Sequence, residues 1–216
     1  MTDGSDERTS LPGLTVAGSS HMNGCARSVA ELRKLLSEDL FRYSGRVSAK
    51  EWLKHFLFTP GYKYTVWMRT TGYLKRNRFA RRTLYPVFKL ILLRCRYKYG
   101  IYIPENTVIG GGLFINRGGG IYVHNDAIIG RNVNITPGTL LGQINGGRRM
   151  GAPIIGDRVF LGSGAKVVGL VTVGDGASIG VNALITDDVP SNGVMAAPKA
   201  SMISERGSSA YISRTV

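Results

Sequence analysis

The sequence is poor in cysteine and histidine and has no long apolar run. Only 2 of its 216 residues are cysteine and only 3 are histidine. The cysteines, Cys25 and Cys95, have no metal-ligand spacing, so we expect no metal site and reduced thiols, as in a cytoplasm. The longest apolar run covers residues 90–93, far short of the roughly 20 residues that cross a bilayer. The polar start, MTDGSDERTS, predicts no secretion signal, and we expect a cytoplasmic protein.

Acidic residues are also scarce, and the resulting positive charge is concentrated in one region. The chain has 28 Lys and Arg against 14 Asp and Glu, a net charge of +14. Residues 26–102 hold 18 of the basic residues and 4 of the acidic ones, whereas residues 103–216 hold 9 and 7. Residues 1–25 are rich in serine and glycine, and we expect a disordered tail there.

Residues 26–102 have the pattern of short helices. Ser28 with Glu31, and Ser48 with Glu51, are capping-box pairs ahead of apolar positions. Between residues 62 and 98, Arg and Lys alternate with aromatic and aliphatic residues, which is typical of helices on anionic membrane surfaces. Two alternatives stay open: a nucleic-acid surface, for which no recognised motif is present, and helices packed within the protein with solvated charges. We expect membrane-surface association and no nucleic acid.

A six-residue repeat over residues 103–200 predicts the architecture of the second region. Aliphatic residues recur every six positions, with two interruptions, and glycine often follows them. One hexad cannot bury its side chain, but stacked hexads bury a continuous column, as in a solenoid. The alternative is an antiparallel meander with apolar residues at even spacing. The register positions are Ile103, Ile109, Ile115, Val123, Ile129, Ile135, Leu141, Ile155, Leu161, Val167, Val173, Ile179 and Ile185.

Two insertions interrupt the repeat, and both contain glycine and arginine. The first adds two residues between Ile115 and Val123, in NRGGGIY, and the second adds eight between Leu141 and Ile155, in QINGGRRMGAP. Insertions in a solenoid emerge as surface loops, where binding and catalysis are commonly found. We therefore expect functional residues in these two loops.

Three stretches of the repeat resemble a known family: YGIYIPENTVIGGGLFI, IYVHNDAIIGRNVNITPGTLLGQ and IIGDRVFLGSGAKVVGLVTVGDGASIGVNALITDDVPSNGVMAAP. They are similar to the left-handed parallel β-helix acyltransferases, and within these to the serine acetyltransferases and their relatives that acetylate bacterial polysaccharides. The resemblance implies a mainly β fold, a left-handed parallel β-helix over residues 103–200, with the basic helices before it and a tail over residues 201–216. It also implies a homotrimer with active sites between the prisms, acetyl-CoA as co-substrate along the groove, and no metal.

The sequence departs from the family where the family keeps its catalytic histidine. In the first loop of the family, a histidine removes the proton of the acceptor hydroxyl, but Asn116 and Arg117 occupy the matching positions here. Arginine stays protonated and only donates hydrogen bonds, so Arg117 cannot be that base. The second loop of serine acetyltransferases carries Asp-Arg-His-Pro, with the arginine on the serine carboxylate. This chain has Arg148, Arg149 and Met150 instead.

Two interpretations of the first loop stay open. Three glycines follow Arg117, and their N–H groups can form an anion-binding nest, so Arg117 and Gly119 are candidates for holding a phosphate or carboxylate. The alternative is a tight turn with a solvated arginine. For the missing base we consider His124, the histidine inside the repeat, which Asp126 would orient if the strand is regular. A solvated corner histidine is the alternative. The catalytic candidates are His124, Asn116 and Arg117.

For the co-substrate, the resemblance implies contacts made largely by backbone groups. A main-chain N–H binds whatever side chain its residue carries. Arg148 and Arg149, with Gly119, are the candidates for substrate binding. The positions that match the family's acetyl-CoA contacts are Gly142, Gln143, Ser163, Gly164, Val181 and Lys199.

One function is expected, with two alternatives. We expect an acetyl-CoA-dependent O-acetyltransferase that modifies a sugar hydroxyl in cell-surface polysaccharide synthesis, in the cytoplasm or at the inner face of the cell membrane. The alternative within enzymes is a serine O-acetyltransferase, which Asn116, Arg117 and Met150 disfavour. From another class, the alternative is an inactive β-helix that serves as a binding or scaffold module. The missing histidine is what separates the enzymes from the binding module.

Overall fold

The computed structural model describes residues 25–206, which form a layer of helices followed by a parallel β-helix. The Ser28 and Ser48 hydroxyls accept hydrogen bonds from the backbone N–H groups of Glu31 and Glu51, at 3.1 and 3.2 Å, so both predicted caps are confirmed. Every helix among the described residues is too short or too polar to span a bilayer. The helices are α1 (Val29–Ser44), α2 (Ala49–Phe58), α3 (Pro60–Arg76), α4 (Arg78–Thr83) and α5 (Tyr85–Tyr99).

Short strands follow and lie in turn on the three faces of a prism. Each strand pairs in parallel with the strand one coil away, as Ile101 does with Ile121. Face A contains β1 (Ile101–Tyr102), β4 (Ile121–Val123), β7 (Leu140–Gly142), β10 (Lys166–Val168) and β13 (Leu184–Ile185). Face B contains β2 (Val108–Ile109), β5 (Ile128–Ile129), β8 (Ile154–Ile155) and β11 (Thr172–Val173). Face C contains β3 (Phe114–Ile115), β6 (Asn134–Ile135), β9 (Phe160–Leu161), β12 (Ser178–Ile179) and β14 (Val194–Met195).

The register positions of the repeat form the interior of this prism. All thirteen are buried, and the most exposed of them, Ile109, is only 6% exposed. Their inward direction and the parallel pairing exclude the antiparallel meander. The first coil begins at Ile101 rather than at the predicted Ile103, because Ile101 already pairs with the next coil.

The helical layer caps the first coils of the prism through α3. The Tyr64 hydroxyl donates to the Ile103 carbonyl at 2.8 Å and accepts the Ile103 N–H at 3.0 Å. Gly61 faces Ile115 so closely that a Cβ would lie 2.2 Å from the Ile115 carbonyl oxygen. Met68 and Leu92 join the same buried cluster as the aliphatic column. The helices and the prism therefore share one core.

Two buried carboxylates fasten the helices to the β-helix. Asp39 in α1 bonds the Arg69 guanidinium of α3 at 2.6 Å and accepts the N–H groups of Gly112 and Leu113, both at 2.9 Å. Arg69 in turn donates to the carbonyl oxygen of Gly110 at 2.7 Å. The carboxylate and the guanidinium therefore bond both to each other and to the backbone of the prism.

The second carboxylate, Glu105, lies in the first coil with its side chain only 3% exposed. It is 2.7 Å from the Lys89 ammonium and 3.1 Å from the Arg96 guanidinium, both in α5, and it accepts the Tyr85 hydroxyl at 3.0 Å. Burial alone raises the pKa of Glu105, but the hydrogen bonds and charge of its partners outweigh burial and lower it to about 2. Glu105 is therefore ionised throughout the neutral range.

The predicted tails fall almost wholly outside the described residues. Of the expected disordered tail over residues 1–25, only Cys25 is described, and its thiol donates to the Glu105 carbonyl oxygen at 3.4 Å. Cys25 thus belongs to the contact between helices and prism. Of the expected C-terminal tail, residues 201–206 are described, and all are exposed.

Candidate functional site

The two insertions emerge at opposite edges of face A. The first connects β3 to β4 and lies at the edge between faces C and A, which we call the C/A edge. The second connects β7 to β8 and lies at the edge between faces A and B, the A/B edge. His124 follows β4 and so also stands at the A/B edge. From Gly120 to His124 is four residues of extended chain, or about 13 Å.

The first loop presents a row of backbone donors next to Arg117. Arg117 is exposed, and within residues 25–206 the N–H groups of positions 117–120 have no acceptor. Gly119 and Gly120 have φ values of +118° and +66°, which L side chains rarely adopt. The loop therefore offers one permanent cation and several unpaired N–H groups, which suits an anion.

Packing alone explains why one of the three positions, 118, is glycine. A Cβ on Gly118 would lie 2.3 Å from the carbonyl oxygen of Tyr99, the last residue of α5. Gly100 caps α5 in the left-handed conformation and lies against the same loop. The tight-turn interpretation explains these contacts. The anion-binding interpretation concerns the N–H groups of positions 117–120, which have no acceptor among the described residues.

His124 does not have the arrangement expected of a base oriented by a carboxylate. Its Nδ1 atom accepts the backbone N–H of Asp126 at 3.2 Å, while the Asp126 carboxylate is 4.0 Å away. In the structure the Nδ1 lone pair of His124 is therefore occupied by a weak, exposed hydrogen bond. The backbone N–H of Asp126 is thus closer to the ring than the Asp126 carboxylate, and the role of His124 as the base stays a prediction.

The second loop is a short hairpin held by Arg149. Ile144 and Gly151 pair across its base, with N–O distances of 2.9 and 3.0 Å. The Arg149 guanidinium lies 2.9 Å from the Asp188 carboxylate and 3.4 Å from that of Asp187, and these contacts raise its pKa. Arg149 thus contacts a later coil of the prism, and the substrate-binding role expected of it stays a prediction.

Arg148 and Met150, on either side of Arg149, are exposed on the hairpin. The sequence analysis missed Asp187 and Asp188 as the anchors of this loop. The sequence signal for this contact was the acidic pair Asp187–Asp188 in a late coil together with the basic pair Arg148–Arg149 in the insertion. The two pairs are 38 or more residues apart in the sequence, and only the stacking of the coils brings them into contact.

The residues matched to acetyl-CoA contacts divide between the two edges of face A. Ser163, Gly164 and Val181 continue the C/A edge above the Arg117 loop, as the bond from the Gly164 N–H to the Pro137 carbonyl shows. That bond, at 2.9 Å, uses the Gly164 N–H, so a contact of Gly164 with the co-substrate would need another atom of the residue, and its assignment stays a prediction. Among residues 25–206, no acceptor binds the backbone N–H groups of Ser163 and Val181.

The remaining matched positions lie elsewhere. Gly142 and Gln143 are at the A/B edge, where the Gln143 amide donates to the Asn145 side chain at 2.9 Å. Lys199 is exposed in the segment after β14. The matched positions of one chain therefore lie along both edges of face A, apart from Lys199. Among the described residues, no group of acidic, histidine and cysteine side chains could hold a metal ion.

Comparison with known proteins identifies the family. No protein-family model matches the chain. A serine acetyltransferase of Helicobacter pylori is 31% identical over 174 residues, which cover 81% of this chain and 95% of the relative. A serine acetyltransferase of Staphylococcus xylosus is 34% identical over 128 residues, covering 59% of this chain and 57% of that one. The chain belongs to the serine acetyltransferase family.

Solved structures of this family have the same fold. The Neisseria gonorrhoeae serine acetyltransferase in complex with serine has a TM-score of 0.65 at 25% identity, covering 82% of this chain and 71% of that one. The Entamoeba histolytica isoform 3 in complex with cysteine has a TM-score of 0.63 at 26% identity, and here the match covers 81% of this chain and 61% of the Entamoeba chain. The predicted left-handed parallel β-helix and the predicted acyltransferase family are confirmed.

The relatives bear on which of the two expected acceptors, a sugar hydroxyl or serine, fits better. They are serine acetyltransferases, so they give no support to the polysaccharide acceptor that the sequence analysis put first. The serine alternative fits them better. The departures from the family's motifs at Asn116, Arg117 and Met150 lie in the two loops.

Proposed function

We propose that this protein transfers the acetyl group of acetyl-CoA to the side-chain hydroxyl of L-serine. The observation that carries the proposal is the similarity to the Helicobacter serine acetyltransferase along 95% of that relative's length. In the reaction, the serine oxygen forms a bond to the acetyl carbonyl carbon and the carbon–sulfur bond of the thioester breaks. The CoA thiolate leaves, and the proton of the hydroxyl balances it as the free thiol.

The position of the loops supports a site completed by a second copy of the chain. Both loops flank face A, but at opposite edges. In a cyclic homotrimer, the C/A edge of one prism can meet the A/B edge of its neighbour, so that the two loops meet in one site. This arrangement agrees with the homotrimer that the family resemblance implies.

Within that site we assign the acceptor to the first loop. Serine carries a carboxylate, and a guanidinium beside several unpaired N–H groups is a suitable partner for one. Arg117, with the N–H groups of Gly118, Gly119 and Gly120, supplies that set. The N–H groups of Ser163 and Val181, further along the same edge, are then left to acetyl-CoA.

The proton of the serine hydroxyl has no histidine to accept it at this loop. Of the histidines among residues 25–206, His55 bonds Thr59 within the helical layer and His124 uses its Nδ1 on a backbone N–H. We therefore assign the proton to water or to the amino group of the substrate. A general base contributes about 10²- to 10⁴-fold, so we expect slow turnover compared with a histidine-dependent transferase.

The test is acetyl transfer by the purified full-length chain, followed by thiol release and by mass spectrometry of the acceptor. We expect release that depends on L-serine, with none above background for L-alanine, which lacks the hydroxyl. L-serine methyl ester, which lacks the carboxylate, should show a higher KM. Transfer to a sugar in preference to serine, or thiol release that no acceptor increases, would overturn the proposal.

A second candidate function is a β-helix that binds CoA without turning it over. The observations that favour it are Arg117 in the loop, where the family has its histidine, and a His124 ring whose Nδ1 accepts a backbone N–H. This candidate predicts CoA binding in calorimetry together with background thiol release for every acceptor. Serine-dependent turnover would exclude it.

A further inference from the structure

The outer side of α4 and α5 carries exposed apolar side chains among arginines. Phe79 is 80% exposed, Leu90 is 67% exposed and Tyr97 is 82% exposed. We call this the α4–α5 surface, and its members are the apolar Phe79, Leu84, Val87, Leu90 and Tyr97 and the basic Arg78, Arg81, Arg82 and Arg94. So much apolar area beside so much charge is unusual for a face that contacts only water.

This surface faces outward because the opposite side of α5 is in the core. Phe88 packs edge-on against Trp67 of α3, with ring centroids 5.3 Å apart, and Leu92 is fully buried. Positions 87, 90, 94 and 97 recur at spacings of three and four, so they share the other face of the helix. Folding of the chain thus leaves this stripe without a partner among residues 25–206.

The charge on the α4–α5 surface is of one sign. The sequence has no Asp or Glu at any position from 52 to 104. In α5, Lys89 and Arg96 point inward to Glu105, whereas Arg78, Arg81, Arg82 and Arg94 are exposed and have no acidic partner within residues 25–206. The positive potential of this face is therefore not neutralised by the rest of the described chain.

The combination of side chains decides which partner fits. A second copy of the same face would place arginine opposite arginine, and like charges at an interface cost binding energy. A nucleic acid would use the arginines, but Leu84, Val87 and Leu90 would gain nothing from phosphates. A bilayer with anionic lipids uses both, since apolar side chains enter the boundary of the acyl chains while basic ones stay at the headgroups.

We propose that the α4–α5 surface docks on the face of an anionic lipid bilayer. The helices lie on the membrane and do not cross it. The arginines contact lipid phosphates and carboxylates, and Phe79 and Leu90 insert into the interface. This inference is independent of the proposed acetyl transfer, because the surface shares no residue with the loops at face A.

The test is co-sedimentation of the full chain with vesicles of phosphatidylcholine alone and of phosphatidylcholine mixed with phosphatidylserine. We expect binding only to the mixture, and much weaker binding as salt rises from about 0.1 to 1 M, where the Debye length falls from about 10 to 3 Å. Replacing Arg78, Arg81 and Arg82 together by glutamate should weaken binding by at least about 100-fold, because the loss of three basic residues alone costs that much and the new carboxylates also repel the anionic lipids.

A matched control separates this surface from the general charge of the protein. Lys50, Arg158 and Arg206 are exposed and lie in α2, in the prism and near the described C-terminus. Changing these three to glutamate alters the net charge equally and should reduce vesicle binding far less. The double substitution of Phe79→Ser and Leu90→Ser tests the apolar part and should reduce the binding that remains at high salt.

The proposal is overturned by equal binding to neutral and anionic vesicles, by no binding to either, or by equal losses in the two triple variants. It is also overturned if the α4 variant abolishes a concentration-dependent increase in mass while vesicles do not bind, which would assign the surface to a second copy. Binding to single- or double-stranded nucleic acid but not to vesicles would assign it to that partner instead. Circular dichroism of each variant checks that the fold is retained.

Discussion

In the helical layer buried charges add to the apolar contacts with the prism, whereas in the β-helix an aliphatic column without charges makes the contacts between coils. Asp39 with Arg69, and Glu105 with Lys89 and Arg96, join residues from different elements. The column of the prism contains no charge, and each coil bonds mainly to the coils before and after it. The stability of the prism is thus spread over many similar contacts, while the helices are also bonded by a few buried charges that each have several partners.

This difference predicts where single substitutions matter most. Removing one partner of a buried pair leaves an uncompensated charge, which costs more than the loss of an exposed contact. The two tryptophans, Trp52 and Trp67, both lie in the helical layer, so their fluorescence reports on the helices while circular dichroism also reports on the prism. The two signals can therefore be compared in one denaturation experiment.

The largest effect is expected for Asp39→Asn. It leaves Arg69 buried without its charge partner and should lower the free energy of unfolding by about 3–5 kcal/mol. The fluorescence midpoint should fall further than the circular dichroism midpoint. Asp157→Asn is the control, because that carboxylate accepts a backbone N–H at 2.6 Å at a more exposed place in the prism. An equal loss of unfolding free energy in the two variants would contradict the larger contribution that we assign to the buried Asp39–Arg69 pair.

The next largest effect is a dependence of the free energy of unfolding on pH, caused by Glu105. Its pKa in the folded protein is about 2, below the ordinary 4.5, so its contribution is complete above about pH 4.5 and is lost as the pH falls toward 2. The shift corresponds to roughly 3 kcal/mol. Denaturation at several pH values should show wild type losing more stability across this window than Glu105→Gln. Identical pH profiles for the two proteins would refute the assignment.

A smaller effect is expected at the junction between the two regions. Gly118→Ala places a Cβ on the Tyr99 carbonyl oxygen, so the loop or the end of α5 must shift, at a cost of about 1–3 kcal/mol. Gly146→Ala in the second loop is the control, since nothing lies within 4 Å of its Cβ position. It should change stability by less than about 0.5 kcal/mol. Thermal unfolding compares them, and a neutral Gly118→Ala would remove the packing reason for this glycine.

The smallest effect is expected for His124→Ala on catalysis. Because Nδ1 is already an acceptor, we expect a change in kcat of less than about 10-fold, well below the 10²- to 10⁴-fold typical of a general base. The measurement is serine-dependent thiol release at saturating acetyl-CoA. A loss of 10²-fold or more would show that the ring leaves the Asp126 amide and acts as the base after all.

The periodic parts of the molecule were predictable, and the contacts between distant parts were not. The aliphatic register gave the inward positions of the prism because each coil repeats the geometry of the previous one. The capping serines followed from local hydrogen bonding. In contrast, the packing of Gly118 on Tyr99 depends on how α5 ends, and the pairing of Arg149 with Asp187 and Asp188 depends on coil stacking. The contact of the His124 ring with the Asp126 N–H depends on the local course of the backbone after β4.

The central claim is that the two regions do different work, with acetyl transfer at the loops of face A and lipid binding at the α4–α5 surface. The most direct test measures both activities on two variants of the full chain. We predict that Arg117→Ala raises the KM for serine more than it lowers kcat and leaves binding to anionic vesicles unchanged. The triple glutamate variant of α4 should lose vesicle binding and keep wild-type transfer to serine. Loss of both activities in either variant, or of neither in both, would contradict the account.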